Sequence, residues 1–320
     1  MEHLVLIDGH HLMYRAYWAI PRTLKTSKGE QSNTVFGVAS MLLSILTAEE
    51  PDAFLFCFDE GDQTFRHVEA ADYKAGRAET PDDFYVQIPR VMECIDTFGI
   101  KRVSDPKVEA DDLLCAYARR AEREGKRVTI VTGDRDALQC ASEHIRIAIP
   151  HKGYQQAEYL GPAEIEAKYG VRPDQVASYK GLTGDSSDNL PGVHGIGPKT
   201  AAALLQRFGT LQGIYDHLKD VAPTVREKLE HDRDQAFFCE RMATLTEDMP
   251  LPFSTEDLLL HDLPAERIEA FFREMEFLLL LKRLHSLLKT PYGQAHFSVP
   301  MGLDLAEKPT LEEKKQLSLF

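Results

Sequence analysis

The stretch HLVLID, residues 3 to 8, is an apolar run that ends in an aspartate. Two more apolar runs follow, AFLFCF at 53 to 58 and VTIVT at 128 to 132. Patterns typical of helices lie near 34 to 48 and from about 109 to 124. Short apolar runs separated by helices indicate a mostly parallel sheet that is covered by helices on both faces. The sequence therefore predicts an α/β fold.

Acidic residues stand at the end of each predicted strand. Asp8 ends the first run, Asp59 directly follows the second, and Asp134 and Asp136 follow the third in TGDRD. Because ligands of open parallel sheets bind beyond the carboxyl ends of the strands, we expect these side chains to meet at one edge. A single aspartate in such a place is more often a turn residue or a helix cap, so only the whole set indicates a site.

Five further acids complete the set. Glu109, Asp111 and Asp112 lie in VEADDLL, where the positive end of a helix dipole tolerates negative charge, and GDSSDN adds Asp185 and Asp188. Nine carboxylates in one cleft would repel one another unless cations neutralise them. We expect no histidine or cysteine in the cluster, and an all-oxygen site suits Mg²⁺ or Mn²⁺ rather than zinc. Two such ions, roughly 3.5 to 4 Å apart, can activate water and stabilise a leaving oxygen at phosphorus, which indicates phosphodiester hydrolysis.

A glycine-rich turn, GVHGIGPKTAAALL at 192 to 205, follows the last acids and leads into a helix. Gly192, Gly195 and Gly197 let the backbone approach a ligand closely, and Lys199 adds positive charge. The free N–H groups and the dipole at the start of the helix can receive a phosphate. An ordinary helix-turn-helix with a glycine loop is the alternative interpretation.

The segment QTFRHVEAADYKAGRAETPDDF, residues 63 to 84, has a different composition. Its basic and aromatic members include Phe65, Arg66, His67, Tyr73, Lys74 and Arg77. This mixture suits the backbone and bases of a single nucleic-acid strand, and we expect the segment to stand over the strand ends as a lid or arch. A solvated helical insertion is the alternative, because acids such as Glu69, Asp72 and Glu79 dilute the positive charge.

Composition limits the class of protein. The chain has 320 residues and a net charge of −14, which argues against a nucleic-acid partner unless metal ions neutralise the gathered carboxylates. The five scattered cysteines suggest neither a disulfide framework nor a zinc site, and we expect buried, reduced thiols. The longest apolar run, FLLLL at 277 to 281, is too short to cross a bilayer, so we expect a cytoplasmic, nucleoid-associated protein.

Taken together, the motifs resemble the 5′ nuclease family, which comprises 5′-3′ exonucleases, flap endonucleases and the N-terminal nuclease domain of bacterial DNA polymerase I. The resemblance covers about residues 1 to 285 and is carried by LIDGHHLMYRAYWA, TFRH, YKAGR, EADDLL, TGDRD and LTGDSSDNLPGVHGIGPKTA. It implies a PIN-like α/β fold with a helical arch and a helical subdomain that contains a helix-hairpin-helix. It also implies cutting near 5′ flaps, nicks and gaps in DNA.

The resemblance implies roles for individual positions. Asp8, Asp59, Glu109 and Asp111 resemble the first metal group, and Asp112, Asp134, Asp136, Asp185 and Asp188 resemble the second. The implied catalytic residues are Lys74, Arg77, Asp8 and Asp111, with Lys74 and Arg77 contacting the scissile phosphate. The implied DNA contacts are Arg66, Tyr73, Lys74, Arg77, Gly192, Gly195, Gly197, Lys199 and Thr200. Residues 184 to 209 resemble the helix-hairpin-helix, which commonly holds a K⁺ ion on backbone carbonyls.

The same resemblance divides the chain into three parts. We expect a nuclease domain at 1–180 with an arch at about 60–98, a helical DNA-binding subdomain at 181–290, and a flexible tail at 291–320. The last five residues, QLSLF, resemble the peptide by which bacterial replication and repair proteins dock on the sliding clamp. Its anchor positions are Gln316, Leu317, Leu319 and Phe320. A segment packed back on its own domain is the alternative.

We therefore expect a stand-alone, monomeric, Mg²⁺-dependent 5′ flap endonuclease and 5′-3′ exonuclease that the sliding clamp recruits for primer removal and DNA repair. Two alternatives stay open. A non-catalytic helix-hairpin-helix DNA-binding scaffold would not need the acids, and a PIN-type ribonuclease would need fewer acids and neither arch nor helix-hairpin-helix. Without the resemblance, the residues indicate only a two-metal phosphodiesterase acting on nucleic acid.

Overall fold

A six-stranded sheet lies at the centre of the computed structural model, which describes residues 2–61, 64–70, 73–74, 80–151 and 153–298. Its strands are β1 (His3–Asp8), β2 (Ala53–Asp59), β3 (Lys101–Asp105), β4 (Arg127–Val131), β5 (Ile145–His151) and β6 (Gly153–Leu160). Their order is β3-β2-β1-β4-β5-β6; the first five are parallel, and β6 is antiparallel to β5. The predicted, mostly parallel sheet is confirmed.

Helices make up most of the remaining structure. The first eight are α1 (Gly9–Ala19), α2 (Asn33–Glu49), α3 (Phe65–Glu69), α4 (Asp82–Tyr85), α5 (Ile88–Thr97), α6 (Ala110–Arg123), α7 (Pro162–Tyr169) and α8 (Val176–Thr183). The others are α9 (Pro198–Phe208), α10 (Leu211–Asp216), α11 (Pro223–His231), α12 (Arg233–Ala243), α13 (Ala265–Glu274), α14 (Leu278–Leu288) and α15 (Pro291–His296). A two-residue pair, β7 (Leu263–Pro264) with β8 (Phe297–Ser298), lies apart from the main sheet.

The strands are buried on both faces of the sheet. Successive side chains of a strand point to opposite faces, and in β1 the pair Val5 and Ile7 joins the apolar cluster that includes α1, α2, α5, α13 and α14. The alternate pair, Leu4 and Leu6, joins the cluster that includes α6, α8 and α9. Burial on both faces explains why HLVLI is a continuous apolar run rather than an alternating one.

The connections bring the predicted acids to one edge of the sheet. The helices predicted near 34–48 and 109–124 are present as α2 and α6. β1 leads directly into α1, and α6 begins five residues after β3 ends, with a capping box formed by Glu109 and Asp112. The carboxyl ends of β1, β2 and β4 therefore face the starts of α1 and α6.

The helices after α7 pack in two places. α12 packs along α8, on the side of the sheet that carries α6. α13 and α14 instead pack against α5 and α2, and Arg283 of α14 donates to the Ser40 hydroxyl at 2.6 Å and to its carbonyl at 3.0 Å. The division of the chain near residue 180 stays a prediction. No helix among the described residues is both long and apolar enough for a bilayer.

Candidate active site

Four of the predicted acids meet at the carboxyl edge of the sheet. Asp8 caps α1 by accepting the His11 N–H at 2.9 Å, and it accepts the Thr132 hydroxyl at 2.8 Å. Asp59 accepts the first N–H of α6, that of Ala110, at 2.8 Å. The other two are Asp111, in the first turn of α6, and Asp134, just beyond β4. We call Asp8, Asp59, Asp111 and Asp134 the four-acid cluster.

The four-acid cluster is electrostatically strained. Burial, together with the negative charges of Asp59 and Asp134, raises the pKa of Asp8 to about 7, although the two hydrogen bonds that Asp8 accepts oppose this rise. Burial, and then the charges of Asp134, Asp8 and Asp59, raises the pKa of Asp111 well above its ordinary value. A carboxyl group in this setting resists ionisation unless a cation lies beside it.

One atom of the cluster suits a cation, although the side chains are not already grouped around one point. The Oδ1 atom of Asp111 is buried and has no hydrogen-bond partner. A buried carboxylate oxygen without a partner is unfavourable, so an oxygen-seeking cation fits this atom. In the described part of the chain, no three His, Cys, Asp or Glu side chains are already grouped as a metal-binding set.

The other five acids are held by basic or phenolic side chains. Arg66 forms a buried fork with Asp112, with Nη1–Oδ2 at 2.7 Å and Nη2–Oδ1 at 3.0 Å, and its Nη1 lies 3.4 Å from Glu109 Oε2. Arg66 also donates to the carbonyls of Met242 at 2.8 Å and Thr244 at 2.9 Å. The side chains of Arg66 and Asp112 are 1% and 0% exposed.

Two predicted roles concern this buried pair, and both stay predictions. Arg66 was predicted to contact DNA, but it is buried and its guanidinium ties α3 to α6 and α12. Asp112 was predicted to bind metal, but both of its oxygens are taken by Arg66. A bidentate pair of this kind is among the strongest charge-assisted contacts in proteins, so a ligand of either side chain would have to compete with it.

Lys74 and Tyr73 lie between α3 and the cluster. Lys74 Nζ donates to Glu109 Oε1 at 2.6 Å, and its charge also favours the ionised form of Asp111. The Tyr73 hydroxyl donates to Glu109 Oε2 at 3.2 Å and to Asp188 Oδ2 at 3.4 Å. Tyr73 is only 6% exposed, and its contact with DNA stays a prediction.

Lys180, which the sequence interpretation missed, joins two acids of the second predicted group. Its Nζ lies 2.6 Å from Asp185 Oδ2 and is also paired with Asp136 Oδ1. Burial alone would raise the pKa of Asp185, but the charge and hydrogen bond of Lys180 outweigh it and lower that pKa to about 2. The sequence signal for this contact was the position of Lys180, five residues before Asp185 in KGLTGD.

Two histidines also adjoin the cluster, contrary to the prediction of an all-oxygen surrounding. The Asp59 N–H donates to His10 Nδ1 at 3.2 Å, and this nitrogen lies 3.7 Å from Asp59 Oδ2. His11 packs against Gly133, and burial lowers its pKa while the charge of Asp134 opposes that effect. The sequence signal for this position was the pair His10 and His11 in IDGHHL, which follows Asp8 at the start of α1.

The glycine-rich turn connects α8 to α9. Gly192 has φ +65°, and a Cβ there would lie 2.2 Å from the Gly184 nitrogen, so this glycine is required to close the turn. Gly195 also has a positive φ, of +76°, and its carbonyl accepts from Lys228 at 3.0 Å. Gly197 caps α9 in extended backbone, and a Cβ there would touch nothing within 4 Å.

The turn presents the start of α9 at the surface. Pro198 occupies the first helical turn, Lys199 is exposed, and Thr200 is half-buried. The arrangement leaves a lysine beside a free helix N-terminus, which suits an anionic ligand.

Some predicted residues lie outside the described part of the chain. They are Arg77, Gln316, Leu317, Leu319 and Phe320. All five cysteines are free and buried, as predicted.

Comparison with known proteins gives consistent results. A family model described as 5′-3′ exonuclease, N-terminal resolvase-like domain, matches residues 3–170, and one described as 5′-3′ exonuclease, C-terminal SAM fold, matches residues 171–266. DNA polymerase I of Bacillus subtilis is 39% identical over 282 residues, which cover 88% of this chain and 32% of that protein. The thermostable DNA polymerase I of Thermus aquaticus is 41% identical over 288 residues, with coverages of 90% and 33%.

The chain thus spans about a third of the length of these curated relatives. Among solved structures, the T5 5′-exonuclease with bound divalent metal ions (zinc) matches with a TM-score of 0.65 at 18% identity. The match covers 90% of this chain and 99% of that one, which shows a shared fold.

Proposed function

This chain belongs to the 5′-3′ exonuclease family, and we propose that it is a structure-specific 5′ nuclease that hydrolyses phosphodiester bonds at 5′ flaps, nicks and gaps in DNA. The observation that carries the proposal is the four-acid cluster. Its carboxylates converge at the carboxyl edge of a parallel sheet, where burial and mutual repulsion raise the pKa values of Asp8 and Asp111. A catalytic role supplies a reason to keep an arrangement that is unfavourable for folding.

We propose that the four-acid cluster holds divalent cations, Mg²⁺ or Mn²⁺, because its ligand atoms are carboxylate oxygens. The buried, unpartnered Oδ1 of Asp111 is the atom that such an ion would satisfy. Two ions bound there would supply a water of lowered pKa and neutralise charge at the leaving oxygen. The T5 5′-exonuclease, which shares the fold, has been solved with divalent metal ions.

Lys74 is the cation best placed to meet a scissile phosphate. Its side chain is 20% exposed and is anchored by Glu109 at the border of the cluster. When a phosphate enters between Lys74 and the acids, the Lys74 ammonium gives up part of its contact with Glu109. It then contacts an oxygen of the phosphate instead. Because the phosphate is already held in place, less entropy is lost when the transition state forms. Arg77 is proposed for the same phosphate from the family resemblance alone.

The start of α9 is proposed as the contact for the uncut duplex. Its free N–H groups and the exposed Lys199 suit a backbone phosphate, with a K⁺ ion at the turn as an additional proposed ligand. A fixed phosphate contact at α9 and a reactive site at the four-acid cluster would together determine how far from a junction the strand is cut.

Recruitment and setting are also proposals. Gln316, Leu317, Leu319 and Phe320 match the resemblance to a sliding-clamp peptide, and tethering raises the effective concentration at DNA without new contacts by the nuclease. We propose that the protein acts as a monomer on the nucleoid in the cytoplasm, in removal of primers from lagging-strand fragments and in repair.

The deciding experiment uses a 5′-labelled double-flap DNA with a 3′-flap DNA as control, each incubated with Mg²⁺ or with EDTA. We expect a short 5′ product from the 5′ flap alone and with Mg²⁺ alone. Asp111→Asn should abolish this product while DNA still binds. Equal cleavage of the 3′ flap, or cleavage in EDTA, would refute the proposal. Preferential cleavage of unstructured RNA would identify the PIN-type ribonuclease instead.

A further inference from the structure

One buried lysine holds two acids of the second predicted metal group together. The Lys180 side chain is 9% exposed, and those of Asp136 and Asp185 are 10% and 17% exposed. Two carboxylates that are this well shielded from solvent would repel each other without a positive charge between them. The lysine is therefore the cation that allows the two acids to approach.

Among the described residues, the four-acid cluster has no lysine paired directly with its carboxylates, and Lys74 acts on Asp111 only from its ion pair with Glu109. Among the described residues, Asp8, Asp59 and Asp134 form no ion pair with a lysine or arginine. The two groups of acids thus differ in what a metal ion would meet. An ion that approaches the four-acid cluster meets repelling carboxylates, whereas one that approaches Asp136 and Asp185 meets an ammonium group.

We propose that Lys180 is a built-in competitor for the second metal: a divalent cation reaches Asp136 and Asp185 only by displacing the Lys180 ammonium. This inference rests on the proposed function, because it concerns the metals of that same site. It makes the Asp136–Asp185 pair the weaker of two metal sites in the free protein. Lys180 acts here as a positioning residue, since it works through the two acids.

The structure offers the displaced ammonium a place to go. Lys180 and Asp185 line a cavity of about 800 Å³, together with Tyr179, Thr183 and Arg135. A lysine has a flexible four-carbon stem, so its head group has freedom to leave Asp136 for this cavity.

Displacement has a consequence for the reaction. A substrate phosphate adds negative charge beside the acids and favours a divalent ion over a single ammonium charge. The second metal then binds in company with DNA rather than before it. A site that fills only with substrate present keeps the free enzyme from holding its full set of metals.

The experiment is a titration of the full chain with Mn²⁺ in the absence of DNA, with free Mn²⁺ followed by electron paramagnetic resonance. We expect the wild type to show one tighter and one weaker class of site. Lys180→Met should tighten the weaker class by at least about tenfold, because the competing buried pair is gone. Lys168→Met is the matched control, since it removes an exposed lysine paired with Glu158 at 2.7 Å, and it should leave both classes unchanged.

Thermal unfolding gives a second readout. In EDTA, Lys180→Met should have a lower Tm than the wild type because the two acids repel, and Mn²⁺ should raise its Tm by more than it raises that of the wild type. Lys180→Arg keeps the charge and should retain a weak second class. If Lys180→Met does not fold without metal, Lys180→Gln is compared with the wild type in its place.

The outcomes are distinct. Unchanged Mn²⁺ affinity and an unchanged Mn²⁺-induced Tm gain in both Lys180→Met and Lys180→Gln would overturn the competitor role, even if flap cleavage proceeds. If the wild type binds no Mn²⁺ and cuts no flap, the proposed function itself fails. Tighter Mn²⁺ binding in both variants but not in Lys180→Arg supports the competitor role.

Discussion

Arg66→Met removes a buried cation from the segment that is predicted to form the arch. In the wild type the guanidinium makes two hydrogen bonds to Asp112, at 2.7 and 3.0 Å, and two to backbone carbonyls, at 2.8 and 2.9 Å. Burial alone would lower the pKa of Arg66, but Asp112 and then Glu109 outweigh burial and raise it. The arginine is therefore charged, and its removal leaves Asp112 as a carboxylate with no exposed surface.

The expected loss of stability follows from these contacts. Removal of one partner of a buried ion pair costs about 3–5 kcal/mol, because the remaining charge is desolvated and unpaired. Methionine replaces much of the apolar stem, which keeps the loss from growing further. We expect the free energy of unfolding to fall by about 3–5 kcal/mol, a large fraction of the roughly 5–15 kcal/mol typical of folded proteins.

A double variant separates charge from packing. Arg66→Met combined with Asp112→Leu removes both charges, and we expect it to recover at least about half of the loss, since apolar groups often replace buried pairs at little cost. Recovery stays incomplete because Asp112 also accepts the N–H groups of Glu109 at 3.1 Å and Thr246 at 2.8 Å. Arg226→Met, at an exposed pair with Glu230, is the control and should change stability by less than about 1 kcal/mol.

The assay is urea unfolding followed by circular dichroism, with flap binding measured at a temperature where each variant is folded. We expect Arg66→Met to lose stability while its folded fraction binds DNA as the wild type does. A variant as stable as the wild type that no longer binds the flap would refute it, because Arg66 would then contact DNA as the sequence suggested.

Asp111→Asn should raise the Tm measured in EDTA at neutral pH while abolishing flap cleavage, because asparagine neither carries a charge that its neighbours repel nor has to take up a proton on folding; a lower Tm would contradict the described strain. Gly192→Ala should lower the free energy of unfolding by about 1–3 kcal/mol from its φ of +65° alone. The same variant should also weaken duplex binding, because the new Cβ would lie 2.2 Å from the Gly184 nitrogen and distort the turn. Gly197→Ala is the control: its Cβ would meet no atom within 4 Å, so its stability and its duplex binding should match those of the wild type. Hydrogen bonds from neighbouring tyrosine, glutamine and arginine side chains lower the pKa of Asp83 to about 2, so this stabilisation is present above about pH 4 and is lost as the pH falls toward 2. Asp83→Asn should therefore lose less Tm than the wild type between pH 4 and pH 2, and equal losses would show that Asp83 is not the group responsible.

The strand pattern was readable in advance because it depends on local sequence. Runs such as HLVLI and VTIVT are continuous because both faces of their strands are buried, and strands of this kind are parallel. The position of Asp8 and Asp59 at the carboxyl ends follows from the same pattern, since parallel strands end at a common edge. That much of the candidate site needed no tertiary information.

The partners of the remaining acids were not readable. Arg66 lies 46 residues from Asp112 in the sequence, and nothing local distinguishes it from a DNA-binding arginine. The same holds for Tyr73, whose hydroxyl reaches Glu109 and Asp188 only after α6 and the turn beyond α8 come together. Composition predicted a basic and aromatic arch, and packing turned two of its members inward.

The sequence by itself thus determined the sheet, the two covering layers and the edge at which carboxylates gather, because hydrophobic periodicity and strand direction are properties of neighbouring residues. Only the tertiary structure decided which carboxylates repel one another and which are neutralised by Arg66, Lys74 or Lys180. Charge pairing depends on distances of a few ångströms between residues far apart in the chain, and it changes steeply with burial, so no local pattern encodes it.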